Sequence, residues 1–163
     1  MGGDREFIQI VDAALAEAAR KSGAWLVCRP GCSECCMGPF AITQRDAARL
    51  RNGLAELETS DPERAARVRL RARAAAAKLP EQSDDDPCPV LDPATGTCDL
   101  YAARPFTCRV FGPPIQWGGE TVGVCELCFQ GATDEEIAGC AVQLDVAEDD
   151  GEETLVALAL AGQ

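Results

Sequence analysis

The sequence predicts a mainly α protein with an irregular, cysteine-rich, metal-organised region and few short strands, a small α+β fold being the neighbouring possibility. Three observations predict it. Apolar residues recur at helical spacing behind capping residues. Gly, Pro and Cys crowd the stretch from Cys88 to Gly131, where regular structure is sparse. Ten cysteines and no histidine stand in 163 residues, far more sulfur than an ordinary reduced protein carries.

The elements follow in chain order. Asp4 can cap a first helix, 4–22, in which Phe7, Val11, Leu15 and Ala18 share a face and Ser22-Gly23 ends the pattern. Thr43 with Asp46 resembles a capping box, and Ala47, Leu50, Leu54 and Leu57 recur behind it. Ser60 with Glu63, and Pro62 in the first turn, start a third helix that Pro80 stops. EQSDDDP, residues 81–87, reads as an acidic linker. A turn at ATG and a strand at ETVGV are expected in the irregular middle. Thr133 and Glu136 open a fourth helix with Ile137, Ala141 and Leu144 on one face, and TLVALALA after EDDGEE is a short helix or strand. Length suits one domain over 1–163. Within it lie the N-terminal helix, a cysteine-cluster metal-binding region over about 24–130, and an acidic helical segment over 133–163.

Charge excludes some partners. The net charge is -12, no Lys or Arg follows Arg109, and Glu120 to Glu153 holds eleven Asp and Glu. Nucleic-acid binding through general electrostatics is therefore not expected. DPERAARVRLRARAAAAKLP runs the other way, with Arg64, Arg67, Arg69, Arg71, Arg73 and Lys78. It reads as a solvated helix face partly paired with the acidic C-terminal half, the alternative being a docking surface for a protein partner. MGGDREFIQIVDAALAEAARKSG has neither a basic n-region nor a continuous apolar core, and no apolar run approaches the ~20 residues of a membrane helix. The expectation is a cytoplasmic protein without membrane partners, whose reduced thiols ligate metal rather than form disulfides.

CRPGCSECCM carries the chemistry. Cys28, Cys32 and Cys35 stand in one tight loop where Gly31 permits unusual backbone angles. Thiolates are soft ligands for zinc, copper(I) and iron-sulfur clusters, and four complete a tetrahedral site or the corners of a cluster. Cys36 adjoins Cys35, and neighbouring side chains usually diverge, so the two are expected to serve different metals or to let one thiolate bridge two. Further sulfur comes from Cys88, Cys98 and Cys108, with nine residues in each gap, and from Cys125 and Cys128 in VCELC. At least two metal atoms, held jointly by the two halves of the chain, are expected. Cys140 lies in the fourth helix pattern and reads as core rather than ligand.

The cluster C-x3-C-x2-CC with the distant CPVLDPATGTCDLYAARPFTCRVF resembles the YkgJ-type cysteine-cluster family of zinc- or iron-chelating domain proteins, over roughly residues 24–130. The resemblance carries the family's cysteines onto Cys28, Cys32, Cys35, Cys36, Cys88, Cys98, Cys108 and Cys125, enough for two four-thiolate sites, and implies metal binding. Cys128 and Cys140 lie beyond the pattern. Flagellin lysine methylases are similar in the cluster alone and are longer.

Other motif residues have physical readings as cofactor-binding groups. Arg29, Arg104 and Arg109 flank Cys28 and Cys108 and suit charge compensation of an anionic thiolate centre, with a surface ion pair as the alternative. Tyr101 suits packing over the site or in the core, and Pro105 fixes the turn before Cys108. Catalysis is not the expected role: there is no histidine base, nucleophile elbow, P-loop or GxGxxG, and no alternating strand-helix pattern for a radical-enzyme barrel. The expected function is metal binding, with zinc or an iron-sulfur cluster as cofactor and iron-sulfur favoured, in a redox or metal-handling role. The alternatives are a structural-zinc protein-interaction module and a methylase-like or radical-enzyme accessory domain.

Overall fold

The computed structural model describes residues 2–147, 149 and 151–162. In chain order these form α1 (Gly2–Ser22), β1 (Ala41–Thr43), α2 (Gln44–Ser60), α3 (Pro62–Ala77), β2 (Leu91–Asp92), β3 (Thr97–Cys98), α4 (Phe106–Arg109), β4 (Ile115–Trp117), β5 (Glu120–Val122), α5 (Asp134–Cys140), β6 (Val142–Gln143), β7 (Glu153–Leu155) and α6 (Val156–Ala161). Roughly half of the chain is helical, and the short strands make small sheets, as in a small α+β fold. No helix among the described residues is long and apolar enough to cross a membrane. The chain divides into two compact units, Met1–Arg29 with Phe106–Asp149, and Pro30–Pro105 with Asp150–Gln163.

The second unit is built on the α2–α3 pair. Thr43 caps α2 by accepting the Asp46 amide at 3.2 Å, as its spacing predicts. Ser60 does not cap α3. Its hydroxyl donates back to the Glu56 and Leu57 carbonyls at 3.1 and 3.3 Å, so α2 runs through it, and the Asp61 carboxylate takes the Arg64 amide at 3.0 Å instead. Leu50 and Leu54 of α2 and Ala65, Val68 and Ala72 of α3 are buried at i, i+3, i+4 and i+7 spacings. Full burial of each Leu or Val contributes about 1.5–3 kcal/mol. α6 lies on α3 and α2 and adds Val156, Ala159 and Leu160 to the same core. Its entry is fixed by β7, which pairs antiparallel with β1 in the register Ile42↔Thr154. The apolar segment TLVALALA therefore becomes a strand and then a helix. Gly53 lets Ala103 approach α2, since a Cβ there would stand 2.5 Å from the Ala103 Cβ.

Carboxylates of this unit meet the basic face of α3. Arg69 donates to both oxygens of Glu58 at 2.9 and 2.8 Å, and Lys78 meets Asp86 at 3.0 Å. Arg64 and Arg71 both grip Asp99, whose side chain is 1% exposed, and Arg71 also donates to the Pro89 carbonyl at 2.8 Å.

In the first unit α1 begins at Gly2, with Asp4 inside its first turn rather than ahead of it. Val11 and Ala18 of α1 are buried with Val110, Ile115 and Leu144, and Phe7 leads an aromatic run through Phe106 to Trp117 at centroid spacings of 5.7 and 4.8 Å. β4 pairs antiparallel with β5 and parallel with β6. The capping box of α5 forms as predicted, Thr133 accepting the Glu136 amide and its own amide donating to the Glu136 carboxylate. The helix stops earlier than expected. Ala141 is extended, β6 joins β4, and Leu144 reaches the core from beyond the helix.

Removing the carboxylate between Arg64 and Arg71 should expose how much the fold depends on it. Asp99→Ala should lower the unfolding free energy by about 3 kcal/mol, read in urea. A loss below about 0.5 kcal/mol would put the pair in the class of solvent-screened surface bridges.

Candidate metal centre

In the second unit, three backbone devices bring Cys32, Cys35 and Cys36 to Cys88 and Cys98. Gly31, at φ +92°, abuts Gly96, at φ +67°: a Cβ on Gly96 would lie 2.8 Å from the Gly31 carbonyl oxygen. Only glycine at 96 allows the cysteine loop to lie against the turn joining β2 to β3. Asp92 builds that turn, accepting the Ala94 amide and the Thr95 hydroxyl at 3.0 Å each. A one-turn 3-10 helix, Glu34–Cys36, is closed by the Cys36 amide on the Ser33 carbonyl at 2.9 Å. The Cys36 carbonyl then accepts the Cys88 amide at 2.7 Å, beside the antiparallel bridge Met37↔Pro87. Cys88 is buried in the unit's core, and Cys36 and Cys98 pack half-buried against that core. Cys32 is half-buried and Cys35 exposed.

The electrostatics of this group oppose charge on bare thiols. The Cys35 thiol is pushed far above the ordinary thiol range, first by a hydrogen bond with the Cys36 side chain and then by burial. Burial pushes the Cys98 thiol up, against the opposing pull of the Leu100 backbone and the Arg104 charge. Arg104 acts on Cys35 in the same direction. Its guanidinium stacks over the Tyr101 ring at 3.6 Å from the centroid, and its Nε donates to the Tyr101 carbonyl at 2.9 Å. Arg49 donates to the Arg104 carbonyl at 3.5 Å. Tyr101 is 62% exposed, so it serves as a shelf for Arg104 and not as core packing.

The first unit gathers the segments that hold the other thiols. Arg109, 4% exposed, donates to both Asp12 oxygens at 2.8 and 3.0 Å, which ties α4 and its Cys108 to α1. The pair is buried on the arginine side rather than a surface bridge. The Cys125 amide bonds the Gly112 carbonyl at 3.1 Å, next to the parallel bridge Gly112↔Val124, and so lies beside the chain leaving α4. The Cys128 amide closes the C-x2-C turn on the Cys125 carbonyl at 3.0 Å. Phe129 follows at φ +57°, its amide on the Trp25 carbonyl at 3.2 Å and its ring stacked on Trp25 at 6.2 Å. Cys28, three residues past Trp25, is exposed, as is Arg29. Cys128 is buried together with Cys140 and Phe129. Cys140 Sγ donates to the Lys21 carbonyl at 3.5 Å, a core thiol with its proton occupied.

The donor chemistry fits a soft or borderline cation. Sulfur is the only soft donor present, histidine is absent, and buried thiols need an added positive charge before they give up protons. Among the described residues no group of three or more Cys, Asp or Glu side chains stands in a ligating arrangement. The fold brings the backbones of Cys36 and Cys88 together. Two parts of the site escape the sequence reading. Asp99 anchors the segment just after Cys98, a role hinted at only by Arg64 and Arg71 standing seven residues apart on one helical face. The Gly31–Gly96 contact is long-range and leaves no local pattern.

No curated protein and no solved structure matches the chain. A family model does, over residues 27–137, which takes in nine of the ten cysteines and leaves out Cys140. The chain belongs to that family, CxxCxxCC, described as "Putative zinc- or iron-chelating domain".

Proposed function

We propose that the chain is a thiolate metal-binding protein with a redox or metal-handling role in the cytoplasm, and that each unit carries its own thiol set. The second unit contributes Cys32, Cys35, Cys36, Cys88 and Cys98; the first contributes Cys28, Cys108, Cys125 and Cys128. The observation that carries this is the meeting of Cys36 with Cys88 through one 2.7 Å backbone bond, although 51 residues separate them in the chain. That bond, with the Gly38 amide on the Asp86 carbonyl at 2.6 Å, makes the antiparallel bridge Met37↔Pro87, and the bridge sets the two cysteines' backbones side by side. Arg104, fixed on Tyr101, places one positive charge where it acts on both Cys35 and Cys98 and offsets part of the charge of a thiolate centre. Our reading favours an iron-sulfur cluster over zinc, because a tight three-cysteine loop is a common cluster wrap. A cluster supplies one-electron transfer, whereas zinc supplies structure.

A second reading rests on α3. Leu70 is 70% exposed, with Arg67 and Arg73 one turn away on either side. With structural zinc in the thiol sets, such a face would serve a protein partner. Redox titration separates the two: reversible reduction with visible absorption and acid-labile sulfide supports the first, and a colourless, redox-silent, folded protein supports the second.

Elemental analysis of anaerobically prepared protein should find at least two metal atoms per chain. Cys32→Ser and Cys108→Ser should each lower the content sharply, and Cys140→Ser should leave it nearly unchanged. One metal per chain, or full loading in Cys108→Ser, would sink the two-set assignment.

Chelation should also loosen residues 88–131, which hold few periodic apolar positions. Thiolate binding of about 10 kcal/mol or more is comparable to what ordering such a segment requires. Limited proteolysis reads this directly. Unchanged cleavage resistance in reduced, metal-free protein would mean that metal does not organise the segment.

A further inference from the structure

We propose that Arg71 is a positioning residue for metal binding in the second unit: one guanidinium holds the Cys88 and Cys98 segments in register and so sets the affinity of the site they share. The proposal rests on the reading of these thiols as ligands and deepens it, by naming a side chain on α3, a helix without cysteine.

Arg71 bonds two segments at once. Its Nε donates to the Pro89 carbonyl at 2.8 Å, and its Nη2 pairs with the Asp99 carboxylate. Pro89 follows Cys88 and Asp99 follows Cys98, so a single planar group reaches the residue next to each thiol. Backbone bonds close the frame between them. The Leu91 amide meets the Cys88 carbonyl at 2.9 Å, Leu91 pairs with Cys98 across β2 and β3, and the Asp99 amide meets the Val90 carbonyl at 2.8 Å. The neighbouring arginines of α3 do less. Arg64 pairs with the other Asp99 oxygen, and Arg69 bridges to Glu58 of α2; neither reaches the Cys88 segment.

Ligands whose backbones are already held lose less freedom when a metal takes them, so a fixed pair binds more tightly than a loose one. The shape of the guanidinium matters for this. Arg71 uses two nitrogens, one for each segment, whereas a lysine offers one nitrogen on a flexible stem.

The test is the zinc affinity of the full chain, reduced and anaerobic, measured by competition with a chromophoric chelator. The binding step lost in Cys98→Ser belongs to the second unit. In Arg71→Lys that step should weaken about tenfold or more, and in Arg64→Lys and Arg69→Lys it should stay within about threefold of native. Far-UV dichroism checks folding, and Arg71→Gln, read in the same way, replaces Arg71→Lys if the lysine variant does not fold. Arg64→Lys disturbs the same carboxylate but leaves Pro89 held, so a role in stability alone would weaken zinc binding in both variants alike. Equal losses in the two, or native affinity in folded Arg71→Lys, would overturn the proposal. Native protein that takes no zinc through Cys98 would fail the metal reading, whereas zinc bound through Cys98 with no dependence on Arg71 would fail this proposal alone.

Discussion

One buried carboxylate holds the second unit in its working arrangement. Asp99 sits directly after Cys98, almost wholly out of solvent, and two arginines of α3 converge on it. A carboxylate in that position is costly unless it is paired on both oxygens. Once paired, it clamps an irregular stretch to the most regular element of the unit. The Asp99 amide, bonded to Val90 at 2.8 Å, extends the clamp to the segment after Cys88. Cys98, at the end of β3, thereby has a fixed backbone behind it.

The clamp also explains why so basic a helix belongs to so acidic a protein. Arg64 and Arg71 hold the loop, Arg69 bridges α3 to Glu58 of α2, and Lys78 holds Asp86. The positive charge is largely spent on carboxylates beside it. Arg109 shows the same economy in the first unit, where it fixes α4 to Asp12 of α1. Arg104 differs. Its guanidinium also lies over the Tyr101 ring, and its charge acts on the Cys35 and Cys98 thiols.

Local rules carried the helices in the sequence. Caps at Thr43 and Thr133, and the buried stripes of α1, α2 and α3, are short-range patterns that survive in the fold. Boundaries failed where two short-range options competed. Ser60 had the spacing of a cap, but its hydroxyl found its own helix first, and Asp61 took over. Leu144 had the spacing of a helix face, but a parallel pairing with β4 drew the chain out of α5. The cysteines were legible as a set because their spacing is unlike any core pattern, and the family model confirms the stretch that contains nine of them. Their grouping by unit was not legible, since it depends on Gly31 meeting Gly96 and on Cys36 meeting Cys88, contacts with no local signature.

The pairing of β7 with β1 places the completion of the second unit late in the chain. Ala41 waits for Leu155, and the core behind Leu50 and Val68 waits for Leu160 of α6. On the ribosome, Cys32 through Cys98 emerge before the roughly 60 residues that must follow to deliver that strand and helix. At ~5–20 residues per second the interval lasts seconds. During that time the thiols are outside the finished core and open to whichever soft ion the cell presents first. Under the proposed metal-binding role, the order of synthesis sets when these thiols first meet an ion.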